Sequence, residues 1–238
     1  MPARLFLAFV VFVVCAASLR AQSARVPQPD GRRLRLGTDS MEVFLIRGGE
    51  RGRTGIVVDR LDTVRVDGEV RFHRVYSRID SILGNGVDTL VDRFPDLVPR
   101  RVVSQSDGGG TEMLTWRDSR ITGTVEQPGQ EKRSIDTTVA TSLYSGASFD
   151  LIVRASPLAD GYSIAAAAYS GRKGARRFTA RVAGSEKLAE FGDTWRVVAD
   201  YGGLPVTFWI TKSSRRLVRQ LVHVASGTEL LFQVPRGS

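Results

Sequence analysis

The feature that most constrains the fold is a period-two alternation of apolar and polar residues, which begins near Met41 and continues almost to the carboxyl terminus. Phe178, Ala180 and Val182, for example, alternate with polar neighbours. Because successive side chains of a strand point to opposite faces, this pattern predicts strands with one apolar face. Frequent turn residues separate the strands, and Asp67-Gly68 tolerates the positive φ of a tight hairpin. The sequence therefore predicts a mainly β protein of antiparallel strands.

One segment, residues 148–155, departs from the alternation. Phe149, Ile152 and Val153 recur at helical spacing, Ser148 is suited to cap the amino end, and a proline follows the run. Two helical turns are unstable by themselves. We therefore expect one short helix that packs on the sheet and covers one end of it.

The first 24 residues have the charged, apolar and small-residue order of a secretory signal peptide. Arg4 precedes an apolar run from Leu5 to Leu19, and small residues follow at Ala21 and Ala24. The run is shorter than the roughly twenty residues that cross a bilayer as a helix. An uncleaved membrane anchor is the alternative. We expect an exported protein that lies in the periplasm or at the outer envelope.

The rest of the chain divides by composition. Residues 25–39 are polar and contain proline and glycine, which predicts a loose amino-terminal arm. Residues 40–233 carry the alternation without a Pro/Ser-rich linker, which predicts a single β half-barrel domain, and residues 234–238 are predicted to be a disordered tail. Cys15 lies within the signal peptide, so the mature chain forms no internal disulfide and depends on its core.

The chain is basic, with a formal net charge of +9, of which two charges belong to the predicted signal peptide. The basic stretches are residues 32–35, 47–53, 172–177 and 214–216. Each lies beside turn-forming residues, so solvated loops are the simplest interpretation. The alternative is attraction to an anionic envelope surface, which basic loops provide. No nucleic-acid partner is expected for an exported protein.

The sequence contains no recognisable catalytic or metal motif. His73 and His223 are the only histidines, and neither has a second histidine or a cysteine at metal-ligand spacing, so both are predicted to be exposed strand residues. The Gly-x-Ser-x-Gly pentapeptide of many serine hydrolases does not occur, although a triad assembled from distant strands remains an alternative. We therefore predict a protein that is not an enzyme and holds neither a metal nor a cofactor.

A set of segments in the carboxyl half has a familiar pattern: residues 148–154 with 157–161, 182–186, 195–201, 206–210 and 214–217. Through these segments, residues 60–233 resemble a bacterial exported family, the domain-of-unknown-function family three-one-zero-eight (DUF3108). The family is similar in fold to the periplasmic lipoprotein-carrier half-barrels, in which a curved sheet wraps a helix and an apolar cavity. The resemblance implies a curved antiparallel sheet or open half-barrel of about ten to twelve strands with one short helix. It implies no activity.

Five aromatic residues on separate predicted strands are candidates to line the concave face of such a half-barrel: Phe72, Trp116, Phe178, Trp195 and Phe208. An apolar wall of this kind suits a hydrophobic ligand, such as the acyl chain of a lipid or lipoprotein. Arg172, Arg176 and Arg177 are candidates for a rim that meets an anionic head group. The alternative is that the aromatic residues only pack the core against the helix.

These observations predict an exported envelope protein that binds a hydrophobic or amphiphilic ligand. The main alternative is a structural or interaction protein that docks an envelope complex through its outer face or a sheet edge, and an enzyme ranks third. A solvent-lined cavity favours ligand binding, whereas a closed core with an exposed strand edge favours docking. The identity of the ligand and the oligomeric state are left open.

Overall fold

The structure is a computed structural model that describes residues 26, 28–139, 143–225 and 227–237. The predicted signal peptide, residues 1–24, lies outside the described residues. The described helices are α1 (Phe149–Ala155) and two 3₁₀ helices, Gly31–Arg33 and Gly146–Ser148. The strands are β1 (Gly37–Arg47), β2 (Glu50–Val66), β3 (Glu69–Asp80), β4 (Gly86–Arg93), β5 (Pro99–Ser106), β6 (Gly110–Arg117), β7 (Arg120–Glu126), β8 (Arg133–Thr138), β9 (Tyr144–Ser145), β10 (Ser163–Ser170), β11 (Gly174–Leu188), β12 (Gly192–Tyr201), β13 (Pro205–Thr211), β14 (Leu217–Ala225) and β15 (Thr228–Gln233).

The fifteen described strands form one open sheet in the order β8-β7-β6-β5-β4-β3-β2-β1-β15-β14-β13-β12-β11-β10-β9. Neighbouring strands are antiparallel, except that β9 pairs parallel with β10. The first and last strands, β1 and β15, pair in the middle of the sheet, so β8 and β9 form its edges. The prediction of a mainly β protein with one short helix is confirmed.

The prediction of ten to twelve strands was too low, because three described strands lack the apolar alternation that sequence reasoning followed. β8 has a single apolar residue, Ile135, in a polar segment. β10 contains a run of four alanines, residues 165–168, and β9 is only two residues long. Strands of these kinds are held by their neighbours in the sheet rather than by a local pattern.

The sheet is curved so that its two ends approach each other. The turn between β10 and β11 meets β6, where Arg172 Nη2 donates to the carbonyl of Gly110 at 2.9 Å and the Arg172 amide donates to Glu112 Oε2 at 3.1 Å. Arg133 on β8 also donates to the carbonyl of Gly171. Side chains, rather than a ladder of strand pairing, therefore connect the two ends.

The helix α1 lies against the concave face of this sheet, as the apolar spacing predicts. Leu151, Ile152 and Val153 are fully buried. The Phe149 ring contacts Phe178 and Phe208, with ring centroids 4.6 and 5.5 Å apart. These contacts place α1 in the main core, which supplies the stability that so short a helix lacks alone.

The amino-terminal cap of α1 differs from the prediction. Ser148 occupies the cap position, but its side chain makes no capping hydrogen bond to the helix. The Ser148 hydroxyl instead points toward the buried end of β4, where it donates to Asp92 Oδ2 at 3.0 Å.

Both ends of the predicted domain are more ordered than the composition suggests. Within the predicted arm, Leu34 is buried, the Asp30 amide donates to the carbonyl of Ala155 at 3.0 Å, and β1 begins at Gly37. Within the predicted tail, Val234 is fully buried and its amide donates to the carbonyl of Val218 at 3.0 Å. Backbone hydrogen bonds and buried side chains therefore hold parts of both segments on the sheet.

Candidate functional site

Four charged residues meet where the amino end of α1 faces β2 and β3. Arg74 donates to both oxygens of Asp59, at 2.7 and 2.9 Å, and to both oxygens of Asp150, at 2.7 and 3.1 Å. Arg154 Nη1 lies 3.5 Å from Asp150 and 3.8 Å from Asp59. The side chains are no more than 14% exposed. We call these four residues the buried charge network.

Arg74 is the centre of the buried charge network. Its remaining N–H donates to the carbonyl of Ala147 at 3.2 Å, so all five guanidinium N–H groups have an acceptor. Burial lowers the pKa of Arg74, but the charges of Asp150 and Asp59 prevail and hold that pKa well above its ordinary value. The two arginines balance the two aspartates. The network therefore ties the helix to the sheet rather than presenting a free charge.

Asp92 lies next to this network as a second buried carboxyl group. It is 1% exposed, and its Oδ2 accepts the hydrogen bond from Ser148. Its Oδ1 is buried without a hydrogen-bond partner among the described residues. Burial raises the pKa of Asp92 to about 7, and the Ser148 hydrogen bond and the Arg74 charge oppose this rise only in part.

A cavity of about 160 Å³ lies beside the buried charge network, between α1 and the concave face. Both halves of the sheet contribute to it. It is lined by Met41, Arg74, Tyr76, Asp88, Gly146, Ala147, Phe149, Asp150, Tyr201, Phe208, Leu217 and Gln220. A smaller cavity of about 120 Å³ also has Tyr76 and Asp88 in its wall, together with Ser104 and Arg172. We call the space against α1 the main cavity because of its place in the fold, not its size, and it shares part of one wall with the smaller cavity.

Four polar side chains of the main cavity have no hydrogen-bond or ion-pair partner within the described residues: Tyr76, Asp88, Tyr201 and Gln220. Burial raises the pKa of both tyrosines, so their hydroxyls stay neutral and can donate. Asp88 accepts hydrogen bonds, and the Gln220 amide can donate and accept. Met41, Phe208 and Leu217 give the same cavity an apolar surface. The arrangement suits a small molecule with a polar end and an apolar end.

The five aromatic residues predicted to line one cavity do not share a wall. Phe208 lines the main cavity, and Phe178 packs against Phe149 without reaching it. Phe72 packs on Phe94, with centroids 5.1 Å apart, and Trp116 belongs to a separate apolar cluster under β4 to β8. Trp195 is partly buried, with the Lys212 ammonium 3.9 Å from its ring centroid. Alternation places all five on the inner face, but Phe149 of α1 packs between Phe178 and Phe208, and Trp116 lies in a different cluster.

The three arginines predicted to form a rim are also separated. Arg172 borders the smaller cavity, and its side chain is bound to Gly110. Arg176 and Arg177 are exposed on β11 and do not line the main cavity. They do not form one basic rim, because Arg172 lies in the turn at one end of β11 and is turned inward.

The histidines lie on different parts of the sheet. His73 lies on β3, next to the inward Phe72, and His223 on β14 has its Nδ1 2.7 Å from Glu229 Oε1. Across the described ranges, no group of three His, Cys, Asp or Glu side chains could hold a metal ion. None of the helices in the described part of the chain has the length and hydropathy of a bilayer-spanning segment.

Sequence reasoning missed the polar half of the site. Arg74 lies two residues after Phe72, so period two places it on the apolar inner face, and that is the signal that could have found it. Asp150 and Arg154 have the i,i+4 spacing of an ion pair on a helix. Asp88 and Gln220 give no comparable signal, because their strands also carry polar residues that face outward.

Comparisons with known proteins identify a family and a fold. The model of a family described as a protein of unknown function (DUF3108) matches residues 61–230, which is more than half of the chain. Among solved structures, the chain is similar to a beta-barrel-like protein of the domain of unknown function DUF1849 from Brucella abortus, with a TM-score of 0.50 and 10% identity, over 90% of this chain and 98% of that chain. At this identity the likeness concerns the fold alone. A comparison with curated proteins finds no match.

Proposed function

The chain belongs to the DUF3108 family, as its sequence predicts, and we propose that it is a non-enzymatic, exported envelope protein that binds one small amphiphilic molecule. The observation that carries this proposal is the main cavity. Its apolar residues and its polar side chains without partners among the described residues line one partly open cavity beside α1. A few polar groups in an otherwise apolar pocket fix the orientation of a ligand, so a molecule that hydrogen-bonds to these side chains binds in a specific orientation.

The size of the cavity limits the ligand. A cavity of about 150 Å³ accepts a molecule of benzene size, whereas drug-sized ligands occupy about 300–1,000 Å³. The main cavity, at about 160 Å³, therefore fits a ring or a short alkyl chain with one polar group. A long acyl chain, which the aromatic residues suggested, needs more space than this. The proposed ligand is accordingly a compact amphiphile.

The charge of Asp88 defines the polar end of that ligand. A carboxylate in the wall favours a hydrogen-bond donor, such as an amine or a hydroxyl, over a second carboxylate. We expect hexylamine to bind the mature protein about tenfold more tightly than hexanoate, because one charge-assisted hydrogen bond contributes about 1.5–3 kcal/mol. Isothermal titration calorimetry at fixed ionic strength measures both affinities, and Asp88→Asn should remove the preference.

Two tryptophan substitutions on β14 distinguish binding in the main cavity from binding elsewhere on the protein. Gln220→Trp fills the main cavity and should abolish hexylamine binding, whereas His223→Trp places the same side chain on the opposite face of β14 and should leave it unchanged. Equal binding by both variants, or no binding of either compound by the folded wild type, would contradict the proposal. Circular dichroism and thermal unfolding establish that each variant is folded.

A second candidate function is docking through the outer face of β2 to β4. Val58, Ile79, Ile82 and Val87 are apolar and exposed, and Ile79 and Ile82 are 66% and 58% exposed. Val58 and Val87 both pair with Ser77 of β3, so they lie in one row across the sheet. Several exposed apolar side chains on one part of a sheet make that part a candidate interaction surface.

The docking function predicts that Ile79→Lys with Val87→Lys removes the protein from a larger envelope complex. Val66→Lys is the control, because Val66 is exposed at the far end of β2. Native gel electrophoresis of solubilised envelopes should show the double variant at the size of the free chain and the control at the size of the complex. A wild-type protein that migrates as the free chain would contradict docking.

A further inference from the structure

Two basic stretches that are far apart in the sequence meet at the carboxyl end of α1. Arg154 Nε donates to the carbonyl of Arg215 at 3.0 Å, and the carbonyl of Ala155 accepts from the Asp30 amide at 3.0 Å. Arg216 Nε also donates to Asp39 at 2.8 Å. These contacts bring the segment that contains Arg33 and Arg35 close to the turn between β13 and β14.

The carboxylates at this end do not balance the arginines. Asp39 contacts both Arg216 and Arg35, the latter at 3.6 Å. Asp30 is held by Arg32, whose Nε and Nη2 donate to it at 2.8 and 3.0 Å. Among the described residues, no carboxylate forms an ion pair with the side chain of Arg33 or of Arg215. An excess of positive charge therefore remains at this end.

Arg215 has the features of an anion ligand. Its Nη1 is buried and has no hydrogen-bond partner among the described residues. The pKa of Arg215 lies below its ordinary value, because burial and the positive charge of Arg33 both disfavour the charged form. The positive charge of Arg33 is therefore felt at Arg215, and an oxyanion bound at Arg215 Nη1 would offset that repulsion and satisfy the buried N–H.

We propose that Arg33 and Arg215 bind a phosphoryl group, either as free phosphate or as the head group of a lipid. Arginine presents a planar fork of N–H donors that matches the oxygens of a phosphate, and two such forks can hold one group from two directions. This anion site is separate from the main cavity, whose lining does not include Arg33 or Arg215. The proposal therefore holds or fails independently of the proposed function.

The backbone at Arg215 supplies a suitable variant. Its φ is +57°, a left-handed conformation in which glycine is unstrained and other residues are not. Arg215→Gly removes the guanidinium and keeps the carbonyl that accepts from Arg154. Combined with Arg33→Gln, it removes two charges. Arg176→Gln with Arg177→Gln is the matched control, because it removes two exposed charges from β11.

The experiment is isothermal titration calorimetry of the mature protein with inorganic phosphate and, separately, with dihexanoyl phosphatidic acid below its micellar concentration. We expect the Arg33/Arg215 variant to bind about tenfold or more weakly than the wild type, and the Arg176/Arg177 variant to bind within about twofold. Binding of phosphate alone identifies a free anion, and tighter binding of the lipid identifies a head group. Equal weakening in both variants, or no wild-type binding of either compound, would overturn the proposal.

Discussion

Replacing Arg74 with alanine is expected to destabilise the protein by about 3–5 kcal/mol, because the change leaves Asp59 and Asp150 buried without their main counter-charge. Arg154 remains near both carboxylates, but its Nη1 lies 3.5 Å from Asp150 and 3.8 Å from Asp59, farther than the Arg74 nitrogens. Urea unfolding at pH 7, followed by tryptophan fluorescence, measures the loss.

Arg60→Ala is the matched control for this change. Arg60 is on neighbouring β2 and pairs with Asp62 at 2.7 Å, but its side chain is 67% exposed. An exposed pair of this kind contributes less than about 1 kcal/mol. If Arg74→Ala lost no more stability than Arg60→Ala, the buried charge network would not be what fixes α1 to the sheet.

The second large effect concerns pH and Asp92. The pKa of this carboxyl is about 7 in the folded chain and 3.8 in its ordinary state, so the folded protein binds the Asp92 proton more tightly than the unfolded chain does. The contribution of Asp92 to the free energy of unfolding is therefore greatest below about pH 4, and it declines as the pH rises to about 7. A shift of three pKa units corresponds to at most roughly 4 kcal/mol.

Asp92→Asn should remove this decline and stabilise the protein above pH 7, because the neutral amide needs no proton. Asp96→Asn is the control, because the pKa of Asp96 is shifted in the opposite direction. Burial raises the pKa of Asp96, but the Arg93 hydrogen bond prevails and holds that pKa below its ordinary value. The stability that ionised Asp96 contributes is lost as the pH falls. The Asp96→Asn variant should therefore retain the decline in stability that Asp92 causes between pH 4 and 7. Thermal unfolding from pH 4 to 8 compares the three proteins. An Asp92→Asn variant whose stability changed with pH in the same way as that of the wild type would contradict the assignment.

The sequence predicted the elements whose physical cause is local. Period-two alternation identified strands such as β11 and β12, and helical spacing identified α1 almost to the residue. Burial of Phe72, Phe178 and Phe208 also followed from the same alternation. Strand faces and short helices can therefore be predicted from a single sequence when the spacing of apolar residues is regular.

The site could not be predicted in the same way, because it depends on contacts between distant segments. Arg74 and Asp150 are 76 residues apart, and Asp39 and Arg216 are 177 residues apart. Their proximity depends on the pairing of β1 with β15 in the middle of the sheet, which no local pattern encodes. The five predicted aromatic residues do not share one wall for a related reason, since alternation determines the face on which a residue lies but not the residues that pack against it.

The most direct test of the proposed function is native mass spectrometry of the protein, purified without denaturation from the cells that produce it. The proposal predicts one bound small amphiphile per chain, seen as a discrete added mass that is released on unfolding. The same mass should be absent from Gln220→Trp and present in His223→Trp. A wild-type chain that carries no added mass, and that also fails to bind hexylamine, would contradict the central claim that the cavity beside α1 is a binding site.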